Sequence, residues 1–418
     1  TRADRKIGGG SGGKGGKGSG KEEGFALRPS AEEEQRPFFM GLHAPGRFDK
    51  VVPIRRCEIQ SEPGNAVLKL VAARAQELGL QAYDPVDHTG FLRHLMVRSG
   101  KDPADPSRAG VMVNIITATD ERHAELDVLA RELVETVPEV CTVVHNVTPP
   151  RGGGRGGGGA QPSVGERTLE GAGYIVEELR GLRFRISANS FFQTNTEQAE
   201  RLYELAAEAA DLRPDETLLD LFCGTGTIGL SMARGAKEVH GFELSASAVE
   251  DANKNAADNG ITNATFHLGD LGSAMKDLDN ALPNPDVVIT DPNRPGMSGK
   301  LLRWLRRCGA RRIVYVSCNP STMARDLQVL CAPPVRPGEG DTPPEAGADQ
   351  SDAEAAEASA KKKKHGAYRS SKPQFQYDLE GITVLDLFPH SHHAECVATL
   401  VEAGCDTKLQ NNKGMTGW

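Results

Sequence analysis

The chain has 418 residues, 38% hydrophobic and 25% charged, with a formal net charge of −8, which is enough for two ordinary domains, each with its own core. No apolar run approaches the roughly 18 to 20 residues that cross a bilayer as a helix, and the first residues lack the apolar centre of a secretory signal, so neither a membrane span nor secretion is expected and the protein is read as intracellular. The eight cysteines have no disulfide-framework spacing and no C-x-x-C pair, which speaks for a reducing compartment and against a zinc or iron–sulfur site.

Residues 1 to about 40 are low-complexity Gly, Lys and Glu, expected to form a disordered leader. From Gly41 to about Val147 the pattern becomes globular: Ala66–Leu80 and Glu121–Val137 have helical periodicity, and Leu92–Arg98 and Val111–Ala118 read as strands. A smaller α+β domain over 41–185 is therefore expected. Its glycine-rich stretch near 151–160 is a loop insertion or, alternatively, an RGG-like tract touching RNA.

From Glu178 onward short apolar runs alternate with helical segments, the pattern of a parallel, doubly wound sheet. The expected strands are Leu218–Phe222, Val239–Phe242, Ala264–Leu268, Val287–Thr290 and Ile313–Ser317, with Ala246–Asn259 a helix closed by Gly260. Residues 333–375 read as a disordered insertion ahead of two last strands. It carries the acidic stretch Asp341–Glu357 and the Lys361–Lys364 run. Arg303, Arg306, Arg307, Arg311 and Arg312 form a basic cluster, either a phosphate-facing patch or a solvated helix face.

Asp220-Leu-Phe-Cys-Gly224-Thr-Gly226-Thr-Ile-Gly229 places a glycine-rich turn between a strand and a helix, where backbone and helix terminus can approach a ligand. With Glu243 about 20 residues on, the arrangement also suits a nicotinamide dinucleotide. The downstream residues separate the readings. Asp270 ends the third strand, Asp291-Pro-Asn-Arg-Pro-Gly296 follows the fourth, and Ser317-Cys318-Asn319-Pro320 ends the fifth. Pro320 suits a helix start, so Cys318 is expected near a helix N-terminus that lowers its pKa. A thiolate adding at carbon 6 of a uracil turns carbon 5 into a nucleophile, and a base must then remove the carbon 5 proton. Glu395, in Pro389-His-Ser-His-His-Ala-Glu395, is the candidate base. Against these stand plainer readings: Cys318 as a small buried apolar residue, and the His cluster as a polar loop or a metal ligand set.

The segment from Ile186 to about Val397 resembles the catalytic domain of the tRNA and ribosomal RNA uracil-5-methyltransferase family, carried by Ser187-Ala-Asn-Ser-Phe191-Phe192-Gln193-Thr-Asn195 and the motifs above. The resemblance implies a Rossmann-like class I methyltransferase sheet over 186–400, S-adenosylmethionine as cofactor and RNA, above all transfer RNA, as partner, with no metal and a monomeric state. It implies Cys318 as nucleophile and Glu395 as proton acceptor. It further implies Gln193, Phe222, Thr227, Glu243 (at the ribose), Asp270 (near the adenine) and Asp291 at the cofactor, and Phe191, Asp291 and Arg294 at the substrate. An aromatic for a flipped base fits chemistry that needs both faces of the ring.

Residues 41–150 resemble the family's central RNA-binding domain less closely, through Arg56-Cys57 and Arg93-His94-Leu95. Only Cys57 matches the four cysteines with which some relatives hold an iron–sulfur cluster. The chain departs from the family where Asn293 replaces a proline, which is expected to loosen that turn, and after about Leu400, where 401–418 resembles part of one ankyrin repeat. Two alternatives stay open: cytosine-5 methylation, for which the Asp291–Gly296 turn lacks the usual further cysteine, and an RNA-binding module without turnover.

Overall fold

A computed structural model describes residues 38–149, 165–269, 284–334, 374–389, 391 and 393–403. A compact unit begins at Phe39. The glycine-rich stretch near 151–160, Asp270, His390, His392 and all but the margins of the expected leader, insertion and ankyrin-like tail lie outside the described residues.

A short hairpin, β1 (Gly41–His43) and β2 (Val51–Pro53), precedes α1 (Glu62–Glu77). That helix starts where it does because Ser61 accepts from Gly64 N and Pro63 fills the first turn. Six strands follow in one mixed sheet: β3 (Leu92–Lys101), β4 (Ala109–Thr117), β5 (Val140–Val147), β6 (Gly165–Gly171), β7 (Tyr174–Leu179) and β8 (Leu182–Ser187), in the order β6-β5-β4-β3-β7-β8. Only β4 and β5 run parallel, and α2 (His123–Thr136) makes their crossover. Val67, Val71 and Ala75 of α1 and Leu126, Leu129 and Leu133 of α2 are buried at helical spacing. Arg74 joins the two helices through paired bonds of 2.6 and 2.7 Å to Glu132.

After α3 (Thr196–Ala210) comes a seven-stranded sheet: β9 (Thr217–Leu221), β10 (Glu238–Glu243), β11 (Ala264–Leu268), β12 (Val287–Thr290), β13 (Arg312–Ser317), β14 (Tyr377–Leu385) and β15 (Glu395–Glu402), in the order β11-β10-β9-β12-β13-β15-β14. The first five are parallel; β15 is antiparallel to both of its neighbours. Helices α4 (Thr227–Met232), α5 (Ala246–Asp258), α6 (Gly299–Leu305) and α7 (Pro320–Leu330) complete the winding.

Because strand side chains alternate, Leu218, Val239, Ile289 and Val314 join a core shared with α3, α5 and the mixed sheet, whereas Leu219, Phe242, Val288 and Ile313 join one with α6 and α7. Both faces are thus covered, which is why the strands read as continuous apolar runs. From β9 the chain winds outward to β10 and β11, then returns to β12 on the other side, so the crevice for a ligand lies beyond the carboxyl ends of β9 and β12.

Three expectations need correction. Glu178–Ser187 does not begin the parallel sheet: β8 pairs with β7 and closes the mixed one, since a two-residue turn at Arg180-Gly181, both at positive φ, returns the chain directly. Phe222 falls outside β9, at φ 64°. The closing strand does not give way at Leu400 but continues to Glu402, where it pairs with Tyr377.

Among the described residues no strand lies on the outer side of β8; α5 supplies the partners. Asn259 bonds both N and O of Arg183 at 2.8 and 2.7 Å, Asn255 accepts from Arg185 N at 2.7 Å, and Asp251 accepts from Ser187 N at 3.2 Å. Four residues of helix rise about 6 Å and two of strand about 6.6 Å, so positions 251, 255 and 259 keep step with 183, 185 and 187. This ladder covers an open sheet edge and joins the two sheets.

Candidate active site

The chemistry-bearing residues gather at the carboxyl ends of β9, β10, β12 and β13 and at the start of β15. Ser317 pairs with Cys396 in antiparallel register, so one step further Cys318 comes opposite Glu395. Asp291 follows β12 directly and is tied to β9 by its N–H to Leu221 O at 3.3 Å. Glu395 is 4% exposed; burial pushes its carboxyl up to about 7, against the pull of Arg294. Burial pushes Asp291 up to about 8, with the charges of Glu395 and Asp220 adding to the effect. Asp220, also buried, rises to about 7.

The expected lowering of the Cys318 pKa is not what the structure gives. Its thiol is raised, first by burial, then by Glu395 and Asp291, with Arg294 opposing. Asn319 does cap α7 and Pro320 opens it, but a helix terminus carries about half a charge and the thiol here faces two carboxyls.

The Asp291 turn is held despite Asn293. Gly296 N donates to Asn293 O at 2.8 Å, closing the turn that proline was expected to stiffen. Arg294 O accepts from Asn319 Nδ2 and Thr322 Oγ1, both at 3.0 Å, and Arg325 reaches Pro295 O at 2.8 Å. Beneath them Asp326, fully buried, accepts from Met297 N at 2.7 Å and from Tyr315 Oη at 2.8 Å. The loops after β12 and β13 therefore form one unit. The Arg294 side chain turns towards His393, at 3.1 Å from Nδ1.

Beside them lies a cleft of about 310 Å³, open mouth included, lined by Phe191, Phe192, Tyr203, Phe222, Gly224, Thr227 and Asp291 among others. Its loop is shaped by close approach. Gly226 sits at φ 79° with the Phe266 ring where a Cβ would be, and Gly229 N donates to Asp220 Oδ2 at 2.8 Å with no room for a side chain. Phe222, at positive φ, is strained by the order of 1 kcal/mol or more, and that conformation lets its ring line the cleft. Glu243 stands at the loop's edge and accepts from Gly224 N at 3.1 Å, Leu244 N at 2.8 Å and Ser245 N at 2.9 Å.

Of the expected site residues, Phe191, Phe222, Thr227 and Asp291 line this cleft, Glu243 borders it, and Cys318, Glu395 and Arg294 are coupled to Asp291 or to one another. Gln193 is buried and not among the described residues lining the cleft. Asp270 lies outside the described residues. Phe191 is 67% exposed, so it is no core aromatic.

Sequence reasoning missed Tyr203, buried on α3, whose hydroxyl lies 3.0 Å from Thr227 Oγ1 in the cleft wall. It also missed Asp251 and Asn255, which hold Ser190 Oγ at 2.7 Å and Thr225 O at 3.1 Å. The available signal was a polar residue every fourth position on an otherwise small-residue helix. Arg306, Arg311 and Arg312 prove to be neither a phosphate patch nor a solvated face. Arg306 bonds Ala332 O and Pro333 O, Arg311 pairs with Glu216, and Arg312 with Glu380 at 2.7 Å. Arg311 and Arg312 lie at the amino end of β13, about 20 Å of strand away from Cys318.

This strand order, with glycine loop and acid at the carboxyl ends of β9 and β10, defines a class I methyltransferase fold. A family model described as tRNA (uracil-5-)-methyltransferase matches residues 165–333. An uncharacterized RNA methyltransferase of Chlorobaculum tepidum is 40% identical over 317 residues, 74% of this chain and 63% of its own. One from Caldanaerobacter subterraneus is 33% identical over 366 residues, 86% of this chain and 68% of its own. Among solved structures, the Pyrococcus abyssi tRNA (uracil-54, C5)-methyltransferase in complex with S-adenosyl-L-homocysteine is 25% identical with a TM-score of 0.58, over 84% of this chain and 71% of that one. The chain belongs to the RNA (uracil-5-)-methyltransferase family. It spans about six tenths of the length of several curated relatives it matches.

Proposed function

We propose that this chain methylates carbon 5 of a uridine in RNA, most directly a transfer RNA and there in the thymidine loop, using S-adenosylmethionine, Cys318 and Glu395. The observation that carries the reading is the register that sets Cys318 at the end of β13 opposite Glu395 at the start of β15, beside Asp291. The name of the Pyrococcus abyssi relative, which acts on uracil 54 of transfer RNA, supports the substrate.

The residues present fit the cofactor. Asp220 Oδ1 is buried without a hydrogen-bond partner among the described residues, Gly224, at φ 54° in the cleft wall, leaves open the space that a Cβ would fill, and Glu243 is fixed by three backbone N–H groups. Glu243 would hold the ribose hydroxyls, and Gln193, Phe222, Thr227, Asp270 and Asp291 the remainder. When bound, the cofactor supplies an electrophilic methyl group on a positively charged sulfur.

Phe191 stacks the target base, and Asp291 and Arg294 orient it. Cys318 gives up its proton and Sγ adds to carbon 6, which makes carbon 5 the nucleophile that takes the methyl group; Glu395 then takes the proton from carbon 5 and the bond from sulfur to carbon 6 breaks, freeing the thiolate. A base at about 7 is matched to that step near neutrality. Because the free thiol is held protonated, its activation depends on Arg294 and on positive charge brought to the cleft. The closed Asn293 turn favours turnover over a binding-only role.

The test is to mix protein, S-adenosylmethionine and a transfer RNA bearing 5-fluorouridine. A protein–RNA band that survives denaturation, and vanishes in Cys318→Ala, is expected, since fluorine does not leave as a proton does. Binding without a band would sink the reading. Capture by 5-fluorocytidine RNA instead would point to the cytosine reaction.

A further inference from the structure

We infer that Arg98, on β3 of the mixed sheet, is a positioning residue for this reaction that acts through Phe191; the inference rests on the reading of Phe191 as the ring that stacks the target base. Arg98 Nη1 donates to Ser190 O at 2.7 Å across 92 residues of sequence. Burial lowers the Arg98 pKa, and a guanidinium withdrawn from water needs acceptors for its N–H groups. The oxygen it reaches is the carbonyl that precedes Phe191, while Nη2 lies 3.8 Å from the weak acceptor Met96 Sδ.

Ser190 is thereby gripped from two sides. It is 1% exposed; its hydroxyl donates to Asp251 Oδ2 of α5 at 2.7 Å, and its carbonyl accepts from the mixed sheet. On the far side of Phe191, Phe192 is buried and packs on Phe184, with ring centroids 6.1 Å apart. An exposed aromatic between two fixed neighbours has few ways to move, which is what a platform for a flipped base requires. Without Arg98 the carbonyl can turn to water, and the ring is released by a peptide rotation. A displacement of about 1 Å at such a position can cost about 100-fold in rate.

The experiment compares Arg98→Met and Arg98→Lys with wild type, alone and combined with Phe191→Ala, and follows 4-fluorophenylalanine at position 191 by fluorine NMR in the free protein. Arg98→Met is expected to shift or broaden that resonance, with Arg98→Lys recovering part of the change. It should lower kcat on transfer RNA by about 10- to 30-fold while leaving KM and S-adenosylhomocysteine affinity within about 2-fold. In the Phe191→Ala background its further cost should fall below about 2-fold, because a residue acting through Phe191 has nothing left to position. An unchanged resonance overturns the inference, as do additive losses with a reduced salt slope, the mark of a phosphate contact, or an equal fall in cofactor affinity. The resonance is read without turnover, so a wild type that captures no uridine would refute the proposed function and leave this result standing on its own.

Discussion

The two ends of the parallel sheet carry similar numbers of charged groups and treat them in opposite ways. At the amino end Glu216 is paired with Arg311 at 2.5 and 2.6 Å, Arg312 with Glu380 at 2.7 Å, Asp286 accepts from Thr217 N at 2.8 Å, and Glu238 from Thr217 Oγ1 at 3.0 Å. At the carboxyl end burial raises the pKa of Asp220, Asp291, Glu395 and Cys318; Glu243 adds to Asp220, Glu395 and Asp220 add to Asp291, Glu395 and Asp291 add to Cys318, and Arg294 is the cation that offsets Glu395 and Cys318. One end is arranged for stability. The other holds like-charged groups in place at a cost that the rest of the fold covers, which is how sites for acid–base chemistry are commonly built.

Changes at the two ends should therefore have separable effects. The largest is expected from Cys318→Ala, which should reduce methylation by about 10⁴-fold or more, since the proposed covalent route runs through that thiol, with S-adenosylhomocysteine binding retained. Single-turnover assay alongside calorimetry reads both. Glu395→Gln should slow turnover by about 10² to 10⁴-fold and, unlike the cysteine change, let the protein–RNA adduct accumulate with unmodified transfer RNA on a denaturing gel. If both variants lose adduct equally, Glu395 is not the base.

At the other end the signs reverse. Arg311→Ala leaves Glu216, 6% exposed, without its counter-ion and should cost about 3 kcal/mol in chemical denaturation, with kcat and cofactor affinity unchanged at temperatures where the protein stays folded. A kinetic defect in the folded variant would mean that the two ends are coupled.

How much of this was legible depended on the range of the contacts. The five parallel strands and the α5 helix were readable because both sheet faces are buried, so Val287–Thr290 and Ala264–Leu268 stand out as short apolar runs between turn residues. The candidate site was legible because Asp291, Cys318 and Glu395 each sit at a strand terminus marked by proline or a polar loop. Contacts between segments far apart in sequence were not. Nothing local to Arg311 reveals Glu216, 95 residues away, and nothing local to Asn255 reveals Arg185. The Cys318 shift was misjudged for the same reason. The helix terminus is written beside it, whereas the burial that chiefly raises the thiol, and the carboxyls of Glu395 and Asp291 that add to it, come from other segments of the chain.

The smallest expected effect is the most direct measure of the contrast, because the two ends should titrate in different windows. Glu216 has a lowered pKa, so the stability it gives is present above the usual carboxylate range and is lost as pH falls through its folded value. Asp220, Asp291 and Glu395 are raised to about 7, 8 and 7. Between about pH 4 and 8 the folded protein therefore holds protons that the unfolded chain has released, and stability falls as pH rises. Since the charges of Glu395 and Asp220 both act on Asp291, the three shifts are not independent, and the loss between pH 5.5 and 8.5 should be about 2 kcal/mol rather than a sum over sites. Asp291→Asn should flatten that slope and stabilise the free protein at pH 8 by about 1 kcal/mol, while Glu216→Gln should leave that slope untouched, lower stability evenly above the carboxylate range and have no effect in acid, where Glu216 is already protonated. Denaturation midpoints of the three proteins across pH 4 to 9 decide it. A wild-type slope that Asp291→Asn does not change would mean that the carboxyl end is already neutralised, and the electrostatic difference between the two ends would be lost.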